Sequence, residues 1–149
     1  MKKLLFILTM ALTLLISNTA KSQHFVNRNG DERFGYNLTT TDSEYHYIDS
    51  VTLNTNEGGI ITVTVVGYAK DTAYCVTGQK SVRFNKRRGT LTMGTIIDDQ
   101  AVVTDAALGT ATWTLVAASN KIYVRVKGKQ SNSITWTSIV KRKSVWYAP

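Results

Sequence analysis

"NKIYVRVKGKQSNSITWTSIVKRK", residues 120–143, decides how the rest of the chain is read. Ile122, Val124 and Val126 alternate with Lys121, Tyr123, Arg125 and Lys127. After a polar turn, Ile134, Trp136, Ser138 and Val140 alternate with Thr135, Thr137, Ile139 and Lys141. A period of two puts successive side chains on opposite faces of a strand, so each run predicts a β-strand with one apolar face. Every charge in the stretch is positive: Lys121, Arg125, Lys127, Lys129, Lys141, Arg142 and Lys143. These cations fall at outward positions and in turns, where solvation costs least. Lysine there also discourages sheets from pairing edge to edge.

The same period extends upstream. Ile61, Val63 and Val65 share a face opposite Thr62 and Thr64; Val82 and Phe84 flank Arg83; Ala111, Trp113 and Leu115 alternate with Thr112 and Thr114. Leu91 and Met93 face inward after the basic turn "NKRRG". Turns are expected at "NTNEGG" and near Gly78. The stretch "DDQAVVTDAALG", 98–109, reads as a long loop with a short helical turn. About eight short strands, rich in β-branched residues and spaced by turns every 8 to 12 residues, predict a single all-β antiparallel sandwich of jelly-roll or immunoglobulin-like size. The predicted core includes Val63, Val65, Phe84, Trp113, Val124, Val126 and Trp136. The one proline is the last residue, so no strand loses an amide donor to it.

The amino end reads differently. Lys2 and Lys3 precede an apolar run from Leu4 to Ile16, and Ala20 and Ser22 are small residues placed for signal-peptidase cleavage after Ser22. Thirteen residues rise only about 20 Å as a helix, too short for a hydrocarbon core of roughly 30 Å. Residues 1–22 are therefore expected to be a cleavable export signal, with no membrane span after its removal. The destination is then periplasmic, surface or secreted. Residues 23–43 lack either periodicity and predict an irregular arm, with the sandwich over 44–149. Cys75 stands alone, so no internal disulfide forms; its setting in "TAYCVT" predicts a small buried hydrophobe.

The full chain carries 18 Lys and Arg against 10 Asp and Glu; without Lys2, Lys3 and Lys21 the balance is 15 − 10 = +5. No acidic residue follows Asp105, so the last 44 residues are purely basic. Basic turns with Tyr123 and Trp146 could contact nucleic acid, but a basic patch carries little specificity, and no specific nucleic acid is expected. Asp98, Asp99 and Asp105 are the candidate hard-cation ligands, yet their spacing matches no established loop, and no metal or cofactor is expected. The histidines, His24 and His46, sit in no hydrolase or zinc motif, so no catalytic residues and no enzyme activity are expected. Exposed rings at Tyr45, Tyr47, Tyr68, Trp146 and Tyr147 suit sugar stacking or a subunit interface. The candidate contact surface is Arg87, Arg88, Tyr123, Arg125, Lys127, Lys141, Trp146 and Tyr147.

Residues 58–145 resemble the β-sandwich domain of tailed-phage virion proteins, found in tail, fibre and capsid-associated subunits. The resemblance rests on ordered features: Val82 and Phe84; the Arg87-Arg88-Gly89 turn into a Thr-rich strand; Asn120; the V-x-V-x-G strand of Val124, Val126 and Gly128; and the closing strand with Ile134 and Trp136. It implies a non-catalytic module that builds or decorates a particle in several copies, with itself or other virion proteins as partners. An exported envelope module that binds polysaccharide, or serves adhesion, is the alternative.

Overall fold

A computed structural model describes the chain at residues 32–35, 37–70 and 72–146. The expected signal over 1–22, the arm before Glu32 and the side chains of Trp146 and Tyr147 lie outside the described residues.

Nine strands are present among the described residues: β1 Glu32–Phe34, β2 Leu38–Thr40, β3 Tyr45–Thr52, β4 Glu57–Ala69, β5 Tyr74–Arg87, β6 Thr90–Thr104, β7 Thr112–Ala118, β8 Lys121–Lys127 and β9 Ile134–Trp146. They form two antiparallel sheets. The larger runs β1-β9-β4-β5-β6, with β2 also pairing β9; the smaller runs β3-β8-β7. The stretch read first supplies β8 to the small sheet and β9 to the large one, so its turn crosses between the layers.

Alternation fixes which side chains meet between the sheets. Ile61, Val63 and Val65 of β4, Val82 and Phe84 of β5 and Val140 of β9 join Trp113, Leu115, Ile122, Val124 and Val126 of the small sheet in one buried cluster. The two largest members, Trp113 and Trp136, are almost wholly enclosed. Trp136 lies across the strand pair from Gly67, and its Nε1 donates to Thr40 Oγ1 at 2.8 Å inside the core. A Cβ on residue 67 would come within 2.5 Å of the indole, so the glycine is what admits the ring.

The arm is not wholly irregular. Its described part contains β1 and β2, which line up in turn along the free side of β9, and Gly35 N donates to Ser138 O at 2.7 Å between them. Three-residue strands carry no readable period; a neighbouring edge organises them.

Nor is 98–109 a long loop. β6 continues to Thr104, and only Ala106–Leu108 form a short 3-10 turn. The β5–β6 ladder slips in register between Thr77 and Gln79, Gln79 and Lys80, and Val82 and Phe84. Each slip breaks the alternation that marks a strand. Gly78 is likewise no turn but lies within β5, where a Cβ would stand 3.1 Å from Val102 Cα and 3.3 Å from Trp113 Nε1. The true turn of the basic segment is two residues, Arg88 at φ 51° and Gly89 at φ 88°, the positive-φ geometry that matches the twist of a hairpin.

Two cations also depart from the expected solvated face. Lys86 is 5% exposed, and its Nζ donates to Leu53 O at 2.7 Å. Lys80 reaches over the Trp113 ring at 5.3 Å and pairs with Asp98. Their stems fill apolar space while the ammonium groups find partners at the margin. Cys75 is half-buried rather than buried, because it lies on the outward side of β5.

Candidate functional site

The outer face of the small sheet gathers more chemistry than any other described surface. Strand register builds it in rows: Tyr45 beside Lys127 and Thr112, Tyr47 beside Arg125 and Thr114, Ser50 beside Tyr123 and Val116. None of these outward positions carries a carboxylate. Tyr45 and Tyr47 are 44% and 58% exposed, high for rings in a paired strand.

The side chains interlock diagonally. The Arg125 guanidinium carbon lies 4.0 Å from the Tyr45 ring centre, and Lys127 Nζ lies 5.6 Å from the same ring. Each such cation–ring contact contributes about 0.5–1 kcal/mol at an exposed site and holds the cation in place. Tyr47 and Tyr123 meet at 4.9 Å with their planes tilted by 52°. No ion pair among the described residues involves Arg125 or Lys127, and Arg125 Nε is buried without an acceptor. Two positive groups thus stand on an aromatic floor with their charge uncompensated.

Beside this face opens a cleft of about 280 Å³. Tyr47 and Tyr123 form its aromatic side, Leu38 and Ile48 its apolar side, and Asn37, Asp49 and Ser50 supply polar groups. A bulge in β3 creates the arrangement. The register with β8 slips between Tyr47 and Asp49, so Ile48 and Asp49 both turn inward and Ser50 resumes the outer face. Asp49 is only 6% exposed; its Oδ1 accepts from Ser50 N at 2.6 Å and its Oδ2 from Ser138 Oγ at 3.4 Å. Sequence reading missed it, because a one-residue bulge inverts the inside–outside pattern without any residue type that marks it.

The candidate contact residues do not form one surface. Tyr123, Arg125 and Lys127 share the outer face of β8, joined there by Tyr45 and Tyr47. Lys141 sits on the outward side of β9 in the other sheet, and Arg87 and Arg88 lie at the β5–β6 hairpin. Trp146 is the last residue of β9, remote in register from β8, and its side chain is not described.

His46 does not line the cleft. Its Nε2 lies 2.8 Å from Asp42 Oδ1, and that hydrogen bond, with a second from Glu44 N, holds the Asp42 carboxyl below its usual range. Asp98, Asp99 and Asp105 engage separate partners: Lys80, Ser81 and, at 2.7 Å, the Cys75 amide. Among the described residues no group of three or more His, Cys, Asp or Glu side chains is gathered, and no helix is long and apolar enough to cross a membrane.

No protein-family model matches the chain, and no curated protein matches it. Among solved structures it is similar to the Acinetobacter phage vB_ApiP_P1 tailspike protein, with TM-score 0.46 and 11% identity over 87% of this chain and 25% of that one. It is also similar to the Acinetobacter baumannii phage AM24 tailspike protein, with TM-score 0.41 and 8% identity over 78% of this chain and 27% of that one. A third is tailspike protein gp49 from Acinetobacter baumannii bacteriophage Fri1, a capsular polysaccharide depolymerase, with TM-score 0.37 and 13% identity over 91% of this chain and 23% of that one. The chain therefore spans about a quarter of the length of each.

Proposed function

We propose that this chain is a non-catalytic β-sandwich module of tailed-phage type, present in several copies, that docks onto a surface through the outer face of β3-β8-β7. One observation carries the reading: the sheet face that holds Tyr45, Tyr47 and Tyr123 also holds Arg125 and Lys127, with no carboxylate among its outward positions. Half-exposed tyrosines and arginine are the residues enriched at the centres of recognition surfaces, because they present large contact area with a polar tip. The ordered motifs of the phage resemblance lend support from the fold. The V-x-V-x-G run is β8 itself, and the tryptophan of the closing strand sits at the core of β9.

The test is adsorption of the full chain to envelope fragments of the bacterium that carries the gene, with soluble reducing ends measured alongside. The module should adsorb, release no reducing ends, and lose adsorption in the Tyr45→Ala/Tyr47→Ala double variant while its far-ultraviolet spectrum is unchanged. Release of reducing ends would make it an enzyme; adsorption insensitive to the double variant would end the docking reading.

A further inference from the structure

We infer that two copies of this chain pair back to back through the outer face of the larger sheet, which leaves the β3-β8-β7 face of each copy free. The inference rests on the several-copies part of the role proposed above and names the surface by which the copies meet. Apolar exposure, internal hydrogen bonding, charge and area each favour it.

Strand register sets the face out in rows. Val66 stands beside Thr137 on one side and beside Thr77 and then Val103 on the other; Tyr68 stands between Thr135 and Cys75. Among the described residues, Val66, Tyr68, Ile97, Val103 and Val145 are exposed large apolar side chains, and all five belong to this face. Apolar side chains gathered on one face, rather than scattered singly, mark an interaction surface. Much of the face's polarity is already satisfied within the sheet. Thr62 Oγ1 pairs with Ser81 Oγ at 2.8 Å, Thr64 Oγ1 donates to Gln79 Oε1 at 3.2 Å, and Thr39 Oγ1 pairs with Thr135 Oγ1 at 3.0 Å. Polar groups that keep a hydrogen bond cost little to cover.

Charge decides which face can meet its own copy. The chain as a whole is basic, with 18 Lys and Arg against 10 Asp and Glu, so two copies repel except where a face is uncharged. The β3-β8-β7 face holds Arg125 and Lys127, and laying it on a second copy of itself sets cation against cation. On the larger sheet the outward rows from Thr64 to Tyr68 contain no charged side chain among the described residues, whereas Arg83, Lys141 and Lys143 gather toward the Ile60 end. A twofold axis lying across the strands near Thr64 sets the cationic end of one copy over the uncharged Tyr68 end of the other. One patch is then its own partner, the isologous contact of a C2 dimer.

The area suffices. From Ile60 to Tyr68 at about 3.4 Å per residue, and across five strands at about 4.8 Å, the face measures about 30 Å by about 24 Å, or about 700 Å² per copy. A stable interface of standard size takes about 800 Å² from each partner. Twisted sheets stack face to face in this way within ordinary sandwiches.

Sedimentation equilibrium of the full chain over a concentration series tests the pairing. The chain should behave as a monomer–dimer system, and Val66→Lys/Val103→Lys should raise its dissociation constant by about tenfold or more. Tyr68→Lys, facing the cationic end of the second copy, should do the same and serves if the double variant does not fold. Tyr45→Ala/Tyr47→Ala, on the opposite face, should dimerise as wild type. Far-ultraviolet spectra show which variants are folded and can be compared. A monomer at every concentration, a dimer that survives these lysines, or a dimer lost with Tyr45 and Tyr47 would each overturn the inference. So would a closed trimer, since a surface that meets itself joins two copies and no more. If the chain stays monomeric while adsorption still depends on Tyr45 and Tyr47, this inference falls and the docking face stands. If the dimer forms as expected while adsorption ignores those tyrosines, the docking role falls and the pairing stands.

Discussion

Replacing Gly67 by alanine adds one methyl group where the structure has no room for it. The new Cβ would lie 2.5 Å from Trp136 Cε3 and 2.6 Å from Cζ3. Carbon atoms pack at about 3.5–4.0 Å, so the indole must shift by about 1 Å. It cannot do so freely. Trp136 is fully enclosed, and its Nε1 is tied to Thr40 Oγ1 at 2.8 Å. Forcing a methyl into a packed core costs about 1–3 kcal/mol. Weakening the buried hydrogen bond adds about 0.5–1.5 kcal/mol. Against this, alanine restricts the unfolded chain and returns about 0.4–1 kcal/mol. The net expectation is a loss of about 2 kcal/mol, or roughly 10 °C in melting temperature for a domain of this size. Urea denaturation followed by far-ultraviolet circular dichroism measures it. The same substitution in a Trp136→Val background should then be close to neutral, because the ring that clashes is gone. A Gly67→Ala protein within about 0.5 kcal/mol of wild type, or a penalty that survives in the Trp136→Val background, would refute the packing argument.

Three further outcomes are expected. Trp136→Ala should destabilise by about 3–5 kcal/mol, whereas Lys127→Ala should change stability by less than about 0.5 kcal/mol in the same denaturation assay. Lys86→Met keeps the apolar stem but leaves the buried Leu53 carbonyl without its donor, so it should lose about 1–3 kcal/mol despite removing a charge from the interior. Glu57 is fully enclosed, which by itself raises its pKa. Hydrogen bonds from the Asn54 amide, Ser144 and the Asn54 side chain, with the Arg142 charge, outweigh burial and bring the carboxyl below its ordinary value. A depressed folded pKa contributes stability that is complete above the unfolded value, near 4.5, and is lost as pH falls through the lower folded value. Glu57→Gln should therefore flatten the acid limb of a stability-versus-pH profile below about pH 4.5, leaving other carboxyls to shape what remains.

The chain announces its regular strands and conceals its irregular ones. β7, β8 and the first half of β9 alternate cleanly because none of them carries a bulge of its own, and their inward residues, from Trp113 to Val140, are those the period selects. β6 hides because three register slips in its ladder with β5 scramble the alternation of "TIIDDQAVV". The short strands β1 and β2 exist by virtue of β9, more than 90 positions away, which no local window contains. The candidate site was half legible. Tyr123, Arg125 and Lys127 stand at every second position of β8, so their common face follows from the period. Their union with Tyr45 and Tyr47 depends on β3 pairing β8 across some 75 residues, and the inward turn of Asp49 depends on a bulge no residue type advertises. Lys86 misleads for another reason: a long side chain can be interior along its stem and still find an acceptor at its tip.

β9 lies between β1, β2 and β4, so the strand that comes last among those described sits inside the larger sheet. During synthesis β4 must wait with one flank unpaired until β9 has been made. The pairings of β9 with β1, β2 and β4 are all remote along the chain, so completion of this sheet should be slow. A stop codon that removes β9 would then strip the partner from three strands at once and leave an adhesive template for other chains.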